Sequence, residues 1–309
     1  MTSVFVDGGH GTTGLEIGER LVGRTDISVM EIDGARRKDA DTRREALNDA
    51  DIVILCLPDD AAREAVALID NDRTRVIDAS TAHRTATDWV FGFHEIDDQG
   101  MESLMAARRV SNPGCYSTGF LALVKPLVRT GLIPADWPLS VNAVSGYSGG
   151  GKAMIAEFES GGTDTAWRTY ALSLAHKHVP EMQRHAGLLH APLFAPSVAR
   201  TYSGMIVDVP LMIGAIPGKP SAAVLRDALA QQYADSPIVS LVRDFDDAHL
   251  AIEHAAGTDR LDLFVFANAE GDQVRLVAAL DNLGKGAAGA AVQTLNIMAG
   301  LAETEGLRL

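Results

Sequence analysis

Chemistry concentrates in one stretch of this chain, Ser111-Asn112-Pro113-Gly114-Cys115-Tyr116-Ser117-Thr118-Gly119. Pro113 lacks a backbone donor and favours a helix start just behind it. Phe120, Leu121, Val124, Leu127 and Val128 then recur at helical spacing, which predicts a helix over 115–129, with Ser111 or Asn112 able to cap it. Cys115 falls in the first turn of that helix, where free N–H groups and the helix dipole favour a thiolate over a thiol. A thiolate is the form that attacks carbonyl carbon. The alternative is a buried packing cysteine. Further along, Tyr170 precedes His176-Lys177-His178-Val179-Pro180-Glu181, two histidines and a glutamate within six residues. His-x-His is strand-like spacing, which would turn both rings to one side, for acid/base work or for a metal. No further ligand set is evident, so the segment reads as acid/base machinery with Glu181 as an orienting partner and no metal.

These groups need a scaffold, and the sequence outlines one. An apolar strand at 3–6 runs into Asp7-Gly8-Gly9-His10-Gly11-Thr12-Thr13-Gly14 and then into a helical pattern, the setting of a dinucleotide fingerprint. Gly8, Gly11 and Gly14 allow a tight turn and a close approach to a pyrophosphate lying on the helix N-terminus. A strand at 27–32 leads to Arg36-Arg37-Lys38; consecutive basic residues there suit the 2′-phosphate of NADP better than the ribose hydroxyls of NAD. Apolar strands at 52–57 and 75–78 with a helix at 60–69 between them predict a parallel sheet. Arg84 follows the 75–78 strand at the end of the sheet where ligands gather, and its planar fork could clamp a phosphate or carboxylate.

Past the Cys115 helix, a strand at 139–144 leads into a flexible glycine loop, Ser145 to Lys152, able to bind anions through backbone N–H groups. Strands at 204–213, 261–267 and 273–280, with a helix at 220–234 among them, suggest an α+β domain whose sheet could pack on another subunit. Asp281-Asn282-Leu283-Gly284-Lys285-Gly286-Ala287-Ala288-Gly289 opens a final helix that runs through Met298.

The chain's 309 residues and 47% hydrophobic content suffice for two domains. A net charge of -14 argues against nucleic acid as a partner. No apolar run is long enough to span a bilayer, the N-terminal residues carry no signal-peptide pattern, and two cysteines make no disulfide framework; the cytoplasm is the expected compartment. Cys56 lies in an apolar strand and reads as a small packed hydrophobe.

With these residues in hand, the chain resembles the N-acetyl-gamma-glutamyl-phosphate reductase family, and the shorter of its two subtypes. The resemblance rests on the Asp7–Leu15 fingerprint, on Ser111–Tyr116 and on Asp281–Gly289, with Arg36–Asp39 and Asp51–Pro58 in support. Gly9-His10 stands where Glu-Ala is expected, and Lys152 where many members have Arg. The family implies a Rossmann-like NADP domain (1–114, completed by 282–309) and an α+β catalytic and oligomerisation domain (115–281). It places the nucleophile at Cys115, the catalytic segment at His176, His178 and Glu181, and cofactor contacts at Gly8, Gly11, Thr12, Thr13, Gly14, Arg36, Arg37 and Asn282. Substrate contacts fall on Arg84, Asn112, Tyr170 and Lys152. It implies NADP(H), an acyl-phosphate substrate, a thioester on Cys115 and a homodimer or homotetramer. Its sister activity, aspartate-semialdehyde dehydrogenase, shares the architecture and the chemistry; a non-redox thiol acyltransferase is the reading outside that class.

Overall fold

The structure is a computed structural model that describes residues 1–33, 36 and 39–309, so Arg37 and Lys38 of the basic run lie outside the described residues. The chain divides into two compact units. The first holds Met1–His94, Asp98–Pro113 and Ala287–Leu307; the second holds Glu95–Asp97, Gly114–Gly286 and Arg308–Leu309.

In the first unit β1 (Thr2–Asp7), α1 (Thr12–Leu21), β2 (Ile27–Met30), α2 (Ala40–Asp49), β3 (Ile52–Leu55), α3 (Asp59–Leu68) and β4 (Arg75–Asp78) alternate as the apolar runs predict. β5 (Val90–Phe91), α4 (Gly100–Ala106) and β6 (Arg109–Ser111) complete the sheet, which is parallel with the order β2-β1-β3-β4-β6-β5. Alternate residues of each strand face opposite ways. Val4, Ile52, Ile54 and Ile77 therefore pack with Ile17 and Leu21 of α1 and Leu104 of α4. Phe5, Val53, Leu55 and Val76 pack with Ala46, Leu47, Ala62 and Ala65 of α2 and α3.

In the second unit α5 (Cys115–Arg129) spans the residues its apolar spacing predicts. β7 (Ser140–Gly146), α6 (Gly151–Glu159), β8 (Trp167–Thr169), α7 (Val179–Ala186), β9 (Leu193–Ala199), β10 (Met205–Leu211), α8 (Ala222–Gln232), β11 (Val239–Leu241), β12 (Leu261–Ala267) and β13 (Val274–Leu280) follow. The sheet order is β11-β12-β13-β10-β7-β9-β8, mostly antiparallel, with β7–β9 and β11–β12 parallel. The glycine-rich stretch expected as a flexible loop forms a short 3-10 turn, Tyr147–Gly150, and then the first turn of α6. A π-helical turn, Gly284–Ala288, precedes α9 (Gly289–Met298), where one continuous helix was expected. In the first unit α9 adds Ala291, Val292 and Leu295 to the α1/α4 face of the sheet. Arg75 fastens it, donating to Met298 O of α9 and to Leu104 O and Met105 O of α4. A cation at two helix C-termini also opposes their dipoles favourably. Among the described residues no helix is long and apolar enough to cross a membrane.

α5 contains Pro126, which has no N–H to give the carbonyl of Ala122 four residues earlier. Tyr233 replaces it, donating its hydroxyl to Ala122 O at 2.7 Å. Burial pushes the Tyr233 phenol well up, so the hydroxyl stays a donor at any ordinary pH. Tyr233→Phe should therefore cost about 1–3 kcal/mol of unfolding free energy, because a buried acceptor loses its partner. Urea denaturation checks this. Adding Pro126→Ala to Tyr233→Phe restores a backbone donor and should return part of the loss. Purely additive losses in the double variant would disprove the replacement.

Candidate active site

Cys115 is the first residue of α5, and its helix begins at Gly114 with no side-chain cap. Instead the Gly114 N–H donates to Oε1 of Glu181 at 2.7 Å. Glu181 is 1% exposed and lies in the first turn of α7. One buried carboxylate thus serves the start of α5 while sitting at the start of α7, where the helix dipole favours negative charge. Glu181 was expected to orient a histidine; the contact seen at its Oε1 orients the turn that carries Cys115.

His176 and His178 do not lie on a strand. They occupy the turn before α7, and His178 is its N-cap with helical backbone angles. The turn still brings the rings together, 4.7 Å between centroids at 84°. The loop approaching them carries Ala171 and Leu174 at φ 52 and 60. That left-handed region costs roughly 1–2 kcal/mol for a residue with a side chain, so the surrounding structure holds the loop there. Tyr116, Tyr170 and Phe194 flank the His176 ring at centroid distances of 5.9, 5.7 and 5.1 Å. The backbone N–H of His178 donates to Nδ1 of His176 at 3.1 Å. Nδ1 is then an acceptor, and the neutral ring carries its hydrogen on Nε2.

Tyr170 donates its hydroxyl to that of Tyr116 at 3.1 Å, and Tyr116 donates to Ser197 O at 3.0 Å. Burial, with the negative charge of Cys115 acting the same way, pushes the Tyr170 phenol up to about 12 and that of Tyr116 well above its usual range. Cys56 is the opposite of a reactive thiol: desolvation, with the Asp78 and Asp7 carboxylates, pushes it up to about 12.

The far wall of the Cys115 turn comes from the Asp281–Gly286 segment. Asp281 accepts from the N–H groups of Gly257, Leu283 and Gly284, and its own carbonyl accepts from Gly286 N–H. A Cβ on Gly286 would lie 2.8 Å from Cys115 Cβ and 2.9 Å from Asp281 O, so only glycine lets the two segments touch. Lys285 between them is buried and bonds Oε1 of Glu95 at 2.6 Å. Asn282 spends its side chain inside this unit: Oδ1 accepts from Gly204 N–H and Nδ2 donates to Ser148 Oγ. Lys152 is exposed in the first turn of α6.

In the first unit Arg84 is 8% exposed; Nε donates to Asn112 O at 2.9 Å and Nη2 to Ala79 O at 3.2 Å. The planar fork is partly spent on shaping the chain that leads to Cys115. Asn112 donates Nδ2 to Ala287 O, and its buried Oδ1 has no protein partner, which suits an acceptor kept for a ligand. The fingerprint loop is built for close approach. Gly8 has φ +85, and a Cβ there would lie 2.3 Å from Cys56 O, at the end of β3. A Cβ on Gly14 would lie 2.6 Å from Gly8 O. α1 begins at Gly11 with no side-chain cap and no acidic residue in its first turn, leaving Thr12 and Thr13 at a helix N-terminus suited to an anion. The loop stands where the strand order reverses between β1 and β3, the position at which open α/β sheets take dinucleotides. These residues fit a dinucleotide cofactor.

Sequence reasoning missed Tyr116, Gly286, Lys285 and Glu95. The first three lie within the segments it singled out; nothing local marks Glu95, 190 residues from its partner.

A thiol-bearing catalytic unit joined to a dinucleotide unit defines the semialdehyde dehydrogenase class. Residues 8–104 match the family described as semialdehyde dehydrogenase, NAD binding domain, and residues 115–282 the semialdehyde dehydrogenase, dimerisation domain. Within that class the chain belongs to the N-acetyl-gamma-glutamyl-phosphate reductase family. It is 49% identical to N-acetyl-gamma-glutamyl-phosphate reductase 2 of Pseudomonas putida, over 98% of each chain. It is 50% identical to the N-acetyl-gamma-glutamyl-phosphate reductase of Burkholderia lata, over 97% of each. Among solved structures, a probable aspartate-semialdehyde dehydrogenase from Pseudomonas aeruginosa matches with TM-score 0.72 at 17% identity, covering 96% of this chain and 98% of that one. Aspartate semialdehyde dehydrogenase II from Vibrio cholerae, complexed with ASA, matches with TM-score 0.69 at 15% identity, covering 97% and 98%. These structural likenesses carry the fold alone.

Gly286→Ala should leave the secondary structure intact, cost about 1–3 kcal/mol through overpacking, and slow alkylation of Cys115 by iodoacetamide. An unchanged alkylation rate would show that Gly286 does not set the position of Cys115.

Proposed function

We propose that this chain reduces N-acetyl-gamma-glutamyl phosphate to N-acetylglutamate 5-semialdehyde and phosphate, with NADPH as reductant, as a step of arginine biosynthesis. The observation that carries the reading is Cys115 seated at the start of α5 against Gly286, in a chain half identical to reductases named for that reaction along almost their full length. The helix start favours the thiolate. The Cys115 thiolate attacks the acyl carbon, the bond to the phosphate oxygen breaks, and phosphate leaves with the electron pair, so a thioester stays on the enzyme. When bound, the cofactor supplies the hydride that takes the acyl group to the aldehyde level. Gly8, Gly11, Thr12, Thr13 and Gly14 hold its pyrophosphate, and Arg36 with Arg37 favours a 2′-phosphate.

His176 acts through the hydrogen on Nε2, donating to the acyl oxygen as negative charge develops there. Its Nδ1 already accepts from the His178 N–H, so that nitrogen is not the base for the thiol proton. His178 and Glu181 position the substrate and the nucleophile's turn; Asn112, Arg84, Tyr170 and Lys152 are the candidate contacts to the substrate. The catalytic unit works as part of a homo-oligomer, in keeping with its match to a dimerisation domain.

The direct test is the reverse assay: N-acetylglutamate semialdehyde, phosphate and NADP should yield NADPH, while aspartate semialdehyde should yield little. The opposite preference would assign the sister activity. Cys115→Ser should abolish turnover while NADPH still binds, since a serine hydroxyl is a far weaker nucleophile. Near-normal turnover of that variant would sink the mechanism. His176→Asn should lower kcat and kcat/KM together, by about 10²–10³-fold, the scale of a lost donor to a developing oxyanion. His176→Gln, whose amide nitrogen overlies Nε2, should keep more activity than His176→Asn. Equal collapse of both would mean that the ring must change protonation and not only donate.

A further inference from the structure

Besides the basic residues of the sequence run at 36–38, the described residues place a cation beside the end of β1. Arg43 lies in the second turn of α2, the helix that follows that run, and its Nε donates to Oδ2 of Asp7 at 2.8 Å. Asp7 is the last residue of β1 and immediately precedes Gly8 of the phosphate loop. The pair is partly sheltered, with side-chain exposures of 23% for Arg43 and 12% for Asp7. A guanidinium has five N–H donors in a rigid fork. Asp7 takes the Nε edge, and among the described residues Nη1 and Nη2 meet no acceptor. Elsewhere in the unit Arg24 spends both Nη atoms, on Asn296, Glu305 O and Asp26, and Arg75 spends both on backbone carbonyls, while the exposed Arg44 and Arg63 each engage one, on Asp70 and Asp60.

Two physical consequences follow. A carboxylate one residue before the phosphate loop would repel a pyrophosphate, and Arg43 cancels its charge. Asp7 in turn fixes the guanidinium plane, so the Nη edge is held at the carboxyl end of β1 with little rotamer entropy left to lose. A dinucleotide whose pyrophosphate rests on the start of α1 carries its adenosine ribose over the β1 and β2 side of the sheet. A phosphate on that ribose is a dianion with geometry suited to two parallel N–H donors.

We infer that Arg43, oriented by Asp7, is a specificity-determining residue that receives the adenosine 2′-phosphate of the cofactor. The inference rests on the reading that this chain uses a phosphorylated nicotinamide cofactor, and it adds a residue from α2 to Arg36 and Arg37.

The test needs no turnover. Binding of adenosine 2′,5′-bisphosphate and of 5′-AMP to the full-length protein is measured by calorimetry; the two ligands differ only in the 2′-phosphate. Wild type should prefer the bisphosphate. Arg43→Gln should weaken the bisphosphate about 10- to 100-fold, the scale of a lost charge-assisted pair, and leave 5′-AMP within about threefold. 5′-AMP binding also reports that the domain is folded. Asp7→Asn, which keeps the shape but loosens the orientation, should weaken the bisphosphate selectively and by less. Wild type preferring the bisphosphate while Arg43→Gln binds it unchanged, or loses both ligands equally, overturns the role given to Arg43 and leaves the NADPH reading standing. Equal binding of the two ligands by wild type overturns both.

Discussion

The buried ion pair between Lys285 and Glu95 is the constraint on which the catalytic unit depends. Removing two charges from water costs several kcal/mol per ion, and attraction offsets this only when the geometry is good. Here the separation is 2.6 Å and both side chains are almost fully enclosed. Glu95 is held in addition through its carbonyl, which accepts from Gln232 Nε2 of α8. Such a pair is a poor source of net stability but a strict one of position, because few other arrangements satisfy both charges. What it positions is the turn between Asp281 and Gly286, and through Gly286 the Cβ of Cys115. Cys115 therefore stands where it does partly because of a carboxylate that precedes it by twenty residues in the chain.

Glu181 supplies the second constraint. Its side chain accepts the Gly114 N–H beside Cys115, and the residue lies in the first turn of α7. One carboxyl group thus ties the starts of two helices, where partial positive charge favours an acidic side chain.

Much of this was legible in the sequence, because the signals were local. The apolar spacing after Pro113 delimits α5, the apolar run at Leu261–Ala267 delimits β12, and the glycine loop after β1 marks the cofactor end of the sheet. His-x-His was read as strand spacing and is a turn; ring proximity comes from the Ala171 and Leu174 backbone and the start of α7, which period-two counting cannot represent. The glycines at 149–151 read as a loop because glycine is a weak helix former, but α6 takes Gly151 as its first residue, where the cost is least. Beyond reach were the pairings. Residue type says that Lys285, Tyr233 and Arg43 need acceptors, but their partners lie 190, 111 and 36 residues away.

The hydroxyl ladder beside Cys115 narrows which groups can move protons. A carbonyl can only accept, so the single hydroxyl hydrogen of Tyr116 goes to Ser197 O, and Tyr116 can then only accept from Tyr170. Both hydrogens are thus committed to the protein, and burial keeps both phenols neutral through the range in which the enzyme could work. Neither tyrosine is placed to give a proton to an acyl oxygen or to take one from Cys115. What they offer is a dry wall: ring edges against His176, and lone pairs on Tyr170 for a substrate donor. In a water-poor enclosure of that kind a fixed N–H acts more strongly than it would in solvent. The fixed N–H beside that wall is the Nε2–H of His176, whose tautomer the His178 backbone N–H sets.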